Sequence, residues 1–182
     1  MNINRPKQPD LLRARILNAT KHVLLEEGLA ALTQERVLAR LDISKGGLQH
    51  HFRTKQALLD GLFEALFESF AVLYKDALSQ EPDGPARHVR AYVRAAACDN
   101  ERTRSDGRAL ILLAIGNPKY QQDWAGFLGQ MFQADTMESA TKIACRLFAD
   151  GIWFSLVLGP HLGKTEREAA IHKILLLTET IE

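Results

Sequence analysis

Apolar residues recur at helical intervals along almost the whole chain, and capping and breaking residues divide the pattern into segments. Leu12, Ile16, Ala19, Val23 and Leu24 predict a helix over about 10–27, with Asp10 as its cap and Gly28 as its stop. Thr33 caps the next helix, and Leu32 and Val37 are spaced for a hydrophobic staple across its start. Ser44 caps a third in the same way, with Ile43 and Leu48 as the staple pair. Thr54 then caps a long helix through Leu58, Leu62, Phe63, Leu66, Phe70 and Leu73. The run Gln80-Glu81-Pro82-Asp83-Gly84-Pro85 is a loop. Helices follow at roughly 86–98 and 107–115, with the charged stretch Asp99 to Asp106 between them. Asn117-Pro118 opens another, passing Trp124, Phe127 and Phe132. A helix of about 136–158 is apolar on nearly all sides (Ile143, Leu147, Phe148, Ile152, Trp153, Phe154, Leu156, Leu158), and Gly159-Pro160 ends it. A last helix covers about 165–179. Ala109–Ile115 is compatible with a strand by periodicity but has no partner, so the expected class is all-α.

The densest signal is Ile43 to Leu59, ISKGGLQHHFRTKQALL, preceded by the short helix of Leu32–Ala39. Two short helices joined by a tight turn have the form of a helix-turn-helix. Gly46 and Gly47 sit inside the second, where each costs about 1 kcal/mol relative to alanine. That cost suits a backbone that must approach phosphates. Lys45, Gln49 and His50 offer groups able to reach base edges. The helices starting at Gln34 and Lys55 present N–H groups to phosphate, with Thr33, Thr54 and Lys55 as further donors at those same ends. Gly46-Gly47 is also compatible with a loose turn, and Thr33, Ser44 and Thr54 are caps before they are contacts. His51 and Phe52 are expected to lock the recognition helix onto the core. Adjacent histidines with no Cys, Asp or Glu partner do not suggest a metal.

Charge separates along the chain. Residues 1–55 carry ten Lys/Arg against five Asp/Glu, a net +5, while residues 56–182 carry thirteen against seventeen, a net −4. A basic head on an acidic body suits a polyanion partner for the head alone. Arg5, Lys7, Arg13 and Arg15 form either a solvated arm or one that reaches DNA. Two cysteines, Cys98 and Cys145, make no disulfide framework; oxidant sensing would need a cationic neighbourhood, and both read instead as buried apolar fillers. The N-terminus lacks the apolar core of a signal peptide, and the longest apolar run is too short to span a bilayer, so a soluble, cytoplasmic protein is expected. No nucleophile–base pair, metal-ligand spacing or phosphate loop suggests an enzyme, and no cofactor is implied.

Residues 12–59 resemble the DNA-binding domain of the tetracycline-repressor (TetR) family of bacterial transcription regulators. The resemblance rests on Ala19, Gly28, Leu32-Thr33, Val37-Leu38, Ile43-Ser44-Lys45-Gly46, Leu48, His51-Phe52, Lys55 and Leu58-Leu59. Two positions depart from the family pattern. Asp42 stands where the turn usually has glycine, and is expected to tolerate a left-handed backbone. Gln49 stands where a tyrosine usually contacts phosphate, and its amide suits an adenine edge instead. The resemblance implies a helix-turn-helix domain at 1–55 that binds double-stranded DNA, and a helical domain at 56–182 that binds a small molecule and forms the dimer. The DNA-facing residues are then Thr33, Gln34, Ser44, Lys45, Gly46, Gly47, Gln49, His50, His51, Thr54 and Lys55.

In the second domain, aromatic and polar residues of the central helices are the pocket candidates: Phe63, Phe67, Tyr92, Cys98, Trp124, Phe127 and Phe148. Arg94 and Asp123 are read as surface residues. The apolar surplus of the 136–158 helix and the last helix suggests a homodimer interface through Ile143, Leu147, Phe154, Leu158, Ile171, Ile174 and Leu175. A dimer also suits an inverted-repeat operator, whose half-sites lie about 34 Å apart along the duplex. The expected function is a dimeric repressor released from its operator by a small molecule, with the long helix from Thr54 as the hinge. The alternatives are a regulator without small-molecule control and, less favoured, a small helical enzyme.

Overall fold

The computed structural model describes residues 8–158 and 163–179. Arg5 and Lys7 of the basic arm, the Gly159-Pro160 stop and the Leu156 side chain lie outside the described residues. Nine helices follow one another among the described residues: α1 (Gln8–Glu27), α2 (Gln34–Leu38), α3 (Lys45–His51), α4 (Lys55–Gln80), α5 (Arg87–Ala96), α6 (Glu101–Gly116), α7 (Pro118–Phe132), α8 (Ser139–Leu158) and α9 (Lys164–Leu176). They form two compact units, residues 1–66 and 67–182, and the boundary falls inside α4.

The first unit closes over Ile16, Val23, Leu24, Leu32, Val37, Leu48 and Leu58, each at most 1% exposed. Both staple pairs therefore have their inner member in the core. Gly28 takes φ +85° and its N–H bonds the Leu24 carbonyl at 3.1 Å, which ends α1 with the one backbone conformation that glycine alone adopts readily. Asp10 is not a cap, because α1 already begins at Gln8. It lies in the first turn, where its charge favours the helix N-terminus. Asp42 does not adopt a left-handed backbone either. The turn is closed by the Arg40 and Leu41 N–H groups bonding the Val37 and Leu38 carbonyls, so no residue there needs positive φ. Arg40 ties this turn to the end of α1, at 2.7 Å from Glu26 and 2.9 Å from Glu27. Phe52, 4% exposed, wedges its ring against Gly61 of α4, where an added Cβ would stand 2.6 Å from the ring's Cε1 atom. The Arg13 guanidinium covers the ring at 5.5 Å from its centroid.

In the second unit α5 packs on α8, α6 on α8 and α7, and α9 on α5 and α8. Phe70 of α4 sits at an aromatic crossing, with ring centroids 5.9 Å from Tyr92, 5.2 Å from Trp124 and 4.9 Å from Trp153. The charged stretch between α5 and α6 is shorter than its composition suggests. Asn100 and Thr103 form a capping box, so residues from Glu101 onward are helical. Asn117 caps α7, with Pro118 at its first position. The start of α5 has no local side-chain cap. Asp135, 4% exposed, accepts the His88 and Val89 N–H groups at 2.9 and 2.7 Å instead. α8 begins at Ser139 rather than near 136, where the Glu138 carboxylate accepts the Thr141 N–H at 3.2 Å.

A buried carboxylate joins three segments of this unit. Glu81, 5% exposed, accepts Arg90 Nε at 2.8 Å and also bonds Arg94 Nε. Arg90 donates onward to Thr178 Oγ1 at 2.6 Å and to the Leu175 carbonyl at 3.3 Å, which fixes the C-terminal end of α9 against α5. Burial raises the Glu81 pKa, but the hydrogen bonds and charges of Arg90 and Arg94 outweigh it and hold the carboxyl below its ordinary 4.5.

Gly61→Ala should destabilise the first unit by about 1–3 kcal/mol, since the Phe52 ring is confined and must shift; thermal denaturation would show it as a lowered midpoint. For Glu81→Gln we expect a loss of about 1–3 kcal/mol at neutral pH. A depressed carboxyl contributes stability that is complete above its unfolded pKa and is lost as pH falls through the folded value. The difference from wild type should therefore shrink once the pH drops below 4.5. Denaturant titrations from pH 3 to 7 would measure it, and a constant gap would contradict the charged role.

Candidate nucleic-acid interface and ligand cavity

The first unit presents α3 with an anchored inner face and an open outer face. Leu48 is fully buried and Phe52 nearly so, while Lys45, Gly46, Gln49 and His50 are exposed. The remaining expected residues hold this arrangement. Thr33, Ser44 and Thr54 accept the N–H groups of Arg36, Gly47 and Ala57 at 3.2, 3.1 and 3.0 Å and are caps. Gln34 donates through Nε2 to the Phe52 carbonyl at 2.9 Å, so it positions the end of α3. Lys55 donates to the Leu29 carbonyl at 3.3 Å from an exposed site. His51 is half-buried, its ring 5.4 Å from that of His50 and 6.5 Å from that of Phe52.

The two glycines of α3 have no internal reason to be glycine. Neither has positive φ. A Cβ would stand 3.9 Å from Ser44 Oγ at Gly46, and 3.5 Å from Ser44 Oγ and 4.0 Å from Ile43 Cβ at Gly47, all ordinary contacts. Side chains missing there leave room for something outside the protein.

The second unit holds a cavity of about 160 Å³ between α6, α7 and α8. Leu110, Ile111, Ala114, Ile115, Trp124, Trp153 and Phe154 supply its apolar wall, and Arg146 and Asp150 its polar groups. Ile115 and Phe154 are 59% and 47% exposed and mark the open side. The wall is held from behind. Trp153 donates its indole N–H to the Ala96 carbonyl at 3.2 Å, and its ring centroid lies 5.2 Å from that of Trp124. The fully buried Tyr92 donates its hydroxyl to Asp150 at 2.5 Å. Burial, then the Asp150 charge and hydrogen bond, push the Tyr92 pKa well above 10, so the phenol stays a donor. Arg146 Nε lies 3.5 Å from the second Asp150 oxygen.

Of the expected pocket residues, Trp124 lines this cavity and Tyr92 stands behind it. Phe67 and Phe127 pack on each other at 4.9 Å. Phe148 is half-buried outside the lining, and Phe63 is buried in the first unit. Cys98 is exposed at the end of α5, which corrects its reading as a buried filler, whereas Cys145 is buried and burial raises its thiol pKa. Arg94 is exposed, as a surface residue should be, and also bonds Glu81. Arg146 and Asp150 escaped sequence reading because an Arg and an Asp four residues apart on a helix are usually an ordinary surface pair.

Among the described residues, α8 is not covered on all sides. Ile143, Leu147, Phe154 and Leu158 form one stripe, 54%, 64%, 47% and 76% exposed. On α9, Ile171 and Ile174 are half-buried, and Leu175 is only 5% exposed and belongs to the internal core. The exposed leucines are Leu176 and Leu177, just after it.

Residues 16–62 match the family model for bacterial regulatory proteins of the tetR family, and residues 86–179 match that for the tetracyclin repressor-like C-terminal domain. The chain belongs to the tetracycline-repressor family. This TetR-family chain is similar in structure to the multidrug binding protein EbrR complexed with malachite green, at 25% identity and a TM-score of 0.67, covering 91% of this chain and 96% of that one. EbrR complexed with ethidium matches at 22% identity and 0.63, covering 95% and 99%. Salmonella enterica GusR matches at 17% and 0.63, covering 96% and 97%. No curated protein sequence matches the chain. The protein is therefore an all-α DNA-binding transcriptional regulator. Among its described residues no helix is long and apolar enough to cross a membrane, and no group of three His, Cys, Asp or Glu is placed to hold a metal.

Gly46→Ala separates the two demands on α3. The isolated TetR-family protein should gain up to about 1 kcal/mol, because alanine suits a helix better and meets no clash. Its affinity for operator DNA should fall at the same time. A melting curve and a DNA titration on one preparation would check this, and unchanged DNA affinity would remove the case for a glycine kept for phosphate approach.

Proposed function

We propose that this regulator is a homodimeric repressor acting in the cytoplasm, which binds an inverted-repeat operator and leaves it when an aromatic organic cation enters the α6–α7–α8 cavity. The observation that carries the reading is a carboxylate, Asp150, held by a buried tyrosine in a cavity walled by Trp124, Trp153 and Phe154. Aromatic faces and a fixed negative charge attract the same ligands, flat cations with low hydration. EbrR, which is complexed with malachite green, supports that class.

On the DNA side, Lys45, Gln49 and His50 face base edges, with Gln49 suited to adenine. Lys55, Thr54 and the start of α4 meet phosphate, and Lys55 exchanges its bond to Leu29 for that contact. The α8 stripe with Leu176 and Leu177 supplies the dimer surface, since an exposed apolar stripe of this kind seeks cover. Phe154 belongs both to the stripe and to the cavity mouth, so a partner helix there would help to wall in the ligand.

The test begins with sequencing genomic fragments captured by the purified protein. An inverted-repeat motif is expected. Binding to that motif should then weaken about 5–150-fold at saturating malachite green. Absence of any enriched motif, or a dye that binds without loosening the operator complex, would refute the reading.

A further inference from the structure

The cavity's charged pair has an asymmetry that decides how a cation enters. Asp150 is fixed from within by the buried Tyr92 hydroxyl at 2.5 Å, and its side chain is 29% exposed. Arg146 lies one turn earlier on α8, 46% exposed, and its ion pair with Asp150 spans 3.5 Å. Both side chains line the cavity, whose other surfaces are apolar. Before a ligand arrives, the guanidinium is the counter-ion of the only carboxylate in the lining. A cation seated against the tryptophans competes for the same oxygen. The carboxylate cannot turn away, because it would give up the tyrosine bond. The arginine can, because its long side chain already reaches solvent and retains full hydration there.

We infer that Arg146 is a built-in counter-ion that an incoming cation displaces, so that this arginine sets both the affinity of the cavity and its discrimination between charged and neutral ligands. The inference rests on the proposed cation reading of the cavity. An exposed ion pair of this geometry is worth little, so displacement has a small cost and the cavity stays responsive. Between ligand arrivals the same pair keeps a lone carboxylate from standing uncompensated in an aromatic wall.

The test uses the full-length protein, with malachite green and its uncharged leuco form as probes, titrated calorimetrically. Arg146→Met keeps much of the stem and removes the charge. It should tighten malachite green about three- to fivefold, the scale of a half-exposed ion pair, and leave the leuco form unchanged. Asp150→Asn should weaken malachite green by about tenfold or more while moving the leuco form little. If Arg146→Met leaves the cation's affinity unchanged or lowers it, or shifts both dyes alike, the arginine is a wall element and the inference falls. If neither wild type nor Arg146→Met binds malachite green, the cation reading fails and this inference with it. Tight binding to wild type with no gain in the variant overturns the inference alone.

Discussion

Asp150 is held in an aromatic wall by Tyr92, which reaches it from the core. A carboxylate among indole rings loses part of its hydration, and it must recover hydrogen bonds from the protein. The phenol that supplies one is itself buried, and burial together with the Asp150 charge holds its pKa well above 10, so it stays a donor. Its own place is fixed by α5, which packs on α8, and by the rings of Phe70 and Phe132 at 5.9 and 5.4 Å. The chemistry of the cavity thus descends from the core: remove the α5 packing and the carboxylate loses its anchor, and with it the cavity's charge.

The head obeys a comparable economy. α3 has seven residues, too few to be stable alone, and its orientation comes from what it rests on. Leu48 and Phe52 are buried beneath it, Gly61 leaves a gap for the Phe52 ring, and Gln34 ties down its last carbonyl. With position secured from below, the exposed face is left to carry Lys45, Gln49 and His50, and to carry two glycines that helix stability argues against.

Much of this is legible in the sequence. Thr33, Ser44, Thr54 and Asn117 announce helix starts, because a side-chain oxygen before an apolar-periodic run has a direct physical use there. Other features are not. The Asp99–Asp106 stretch has the composition of a linker, yet the reciprocal bonds of Asn100 and Thr103 start a helix inside it. Leu175 and its two successors are chemically alike, and a shift of one residue on a helix decides which of them faces inward. The cavity is hidden more deeply. Choosing aromatics by type gathers Phe63, Phe67 and Phe127 along with Trp124, and only packing distinguishes a ring that fills a core from one that lines a space.

The boundary between the two units falls inside α4, and each unit packs on its own part of that helix. Toward its start, α4 buries Leu58, Leu59 and Leu62 and leaves the gap at Gly61 that seats Phe52 beneath the recognition helix. Further along, Phe70 of the same helix touches Tyr92, Trp124 and Trp153, the donor and the two indoles of the cavity. A ligand can shift an equilibrium only by the difference in its affinity for two states. Those rings touch Phe70 directly, so any movement of them must be accommodated by that side chain within the second unit. Phe70 is therefore the residue of α4 on which the shape of the cavity wall most directly depends.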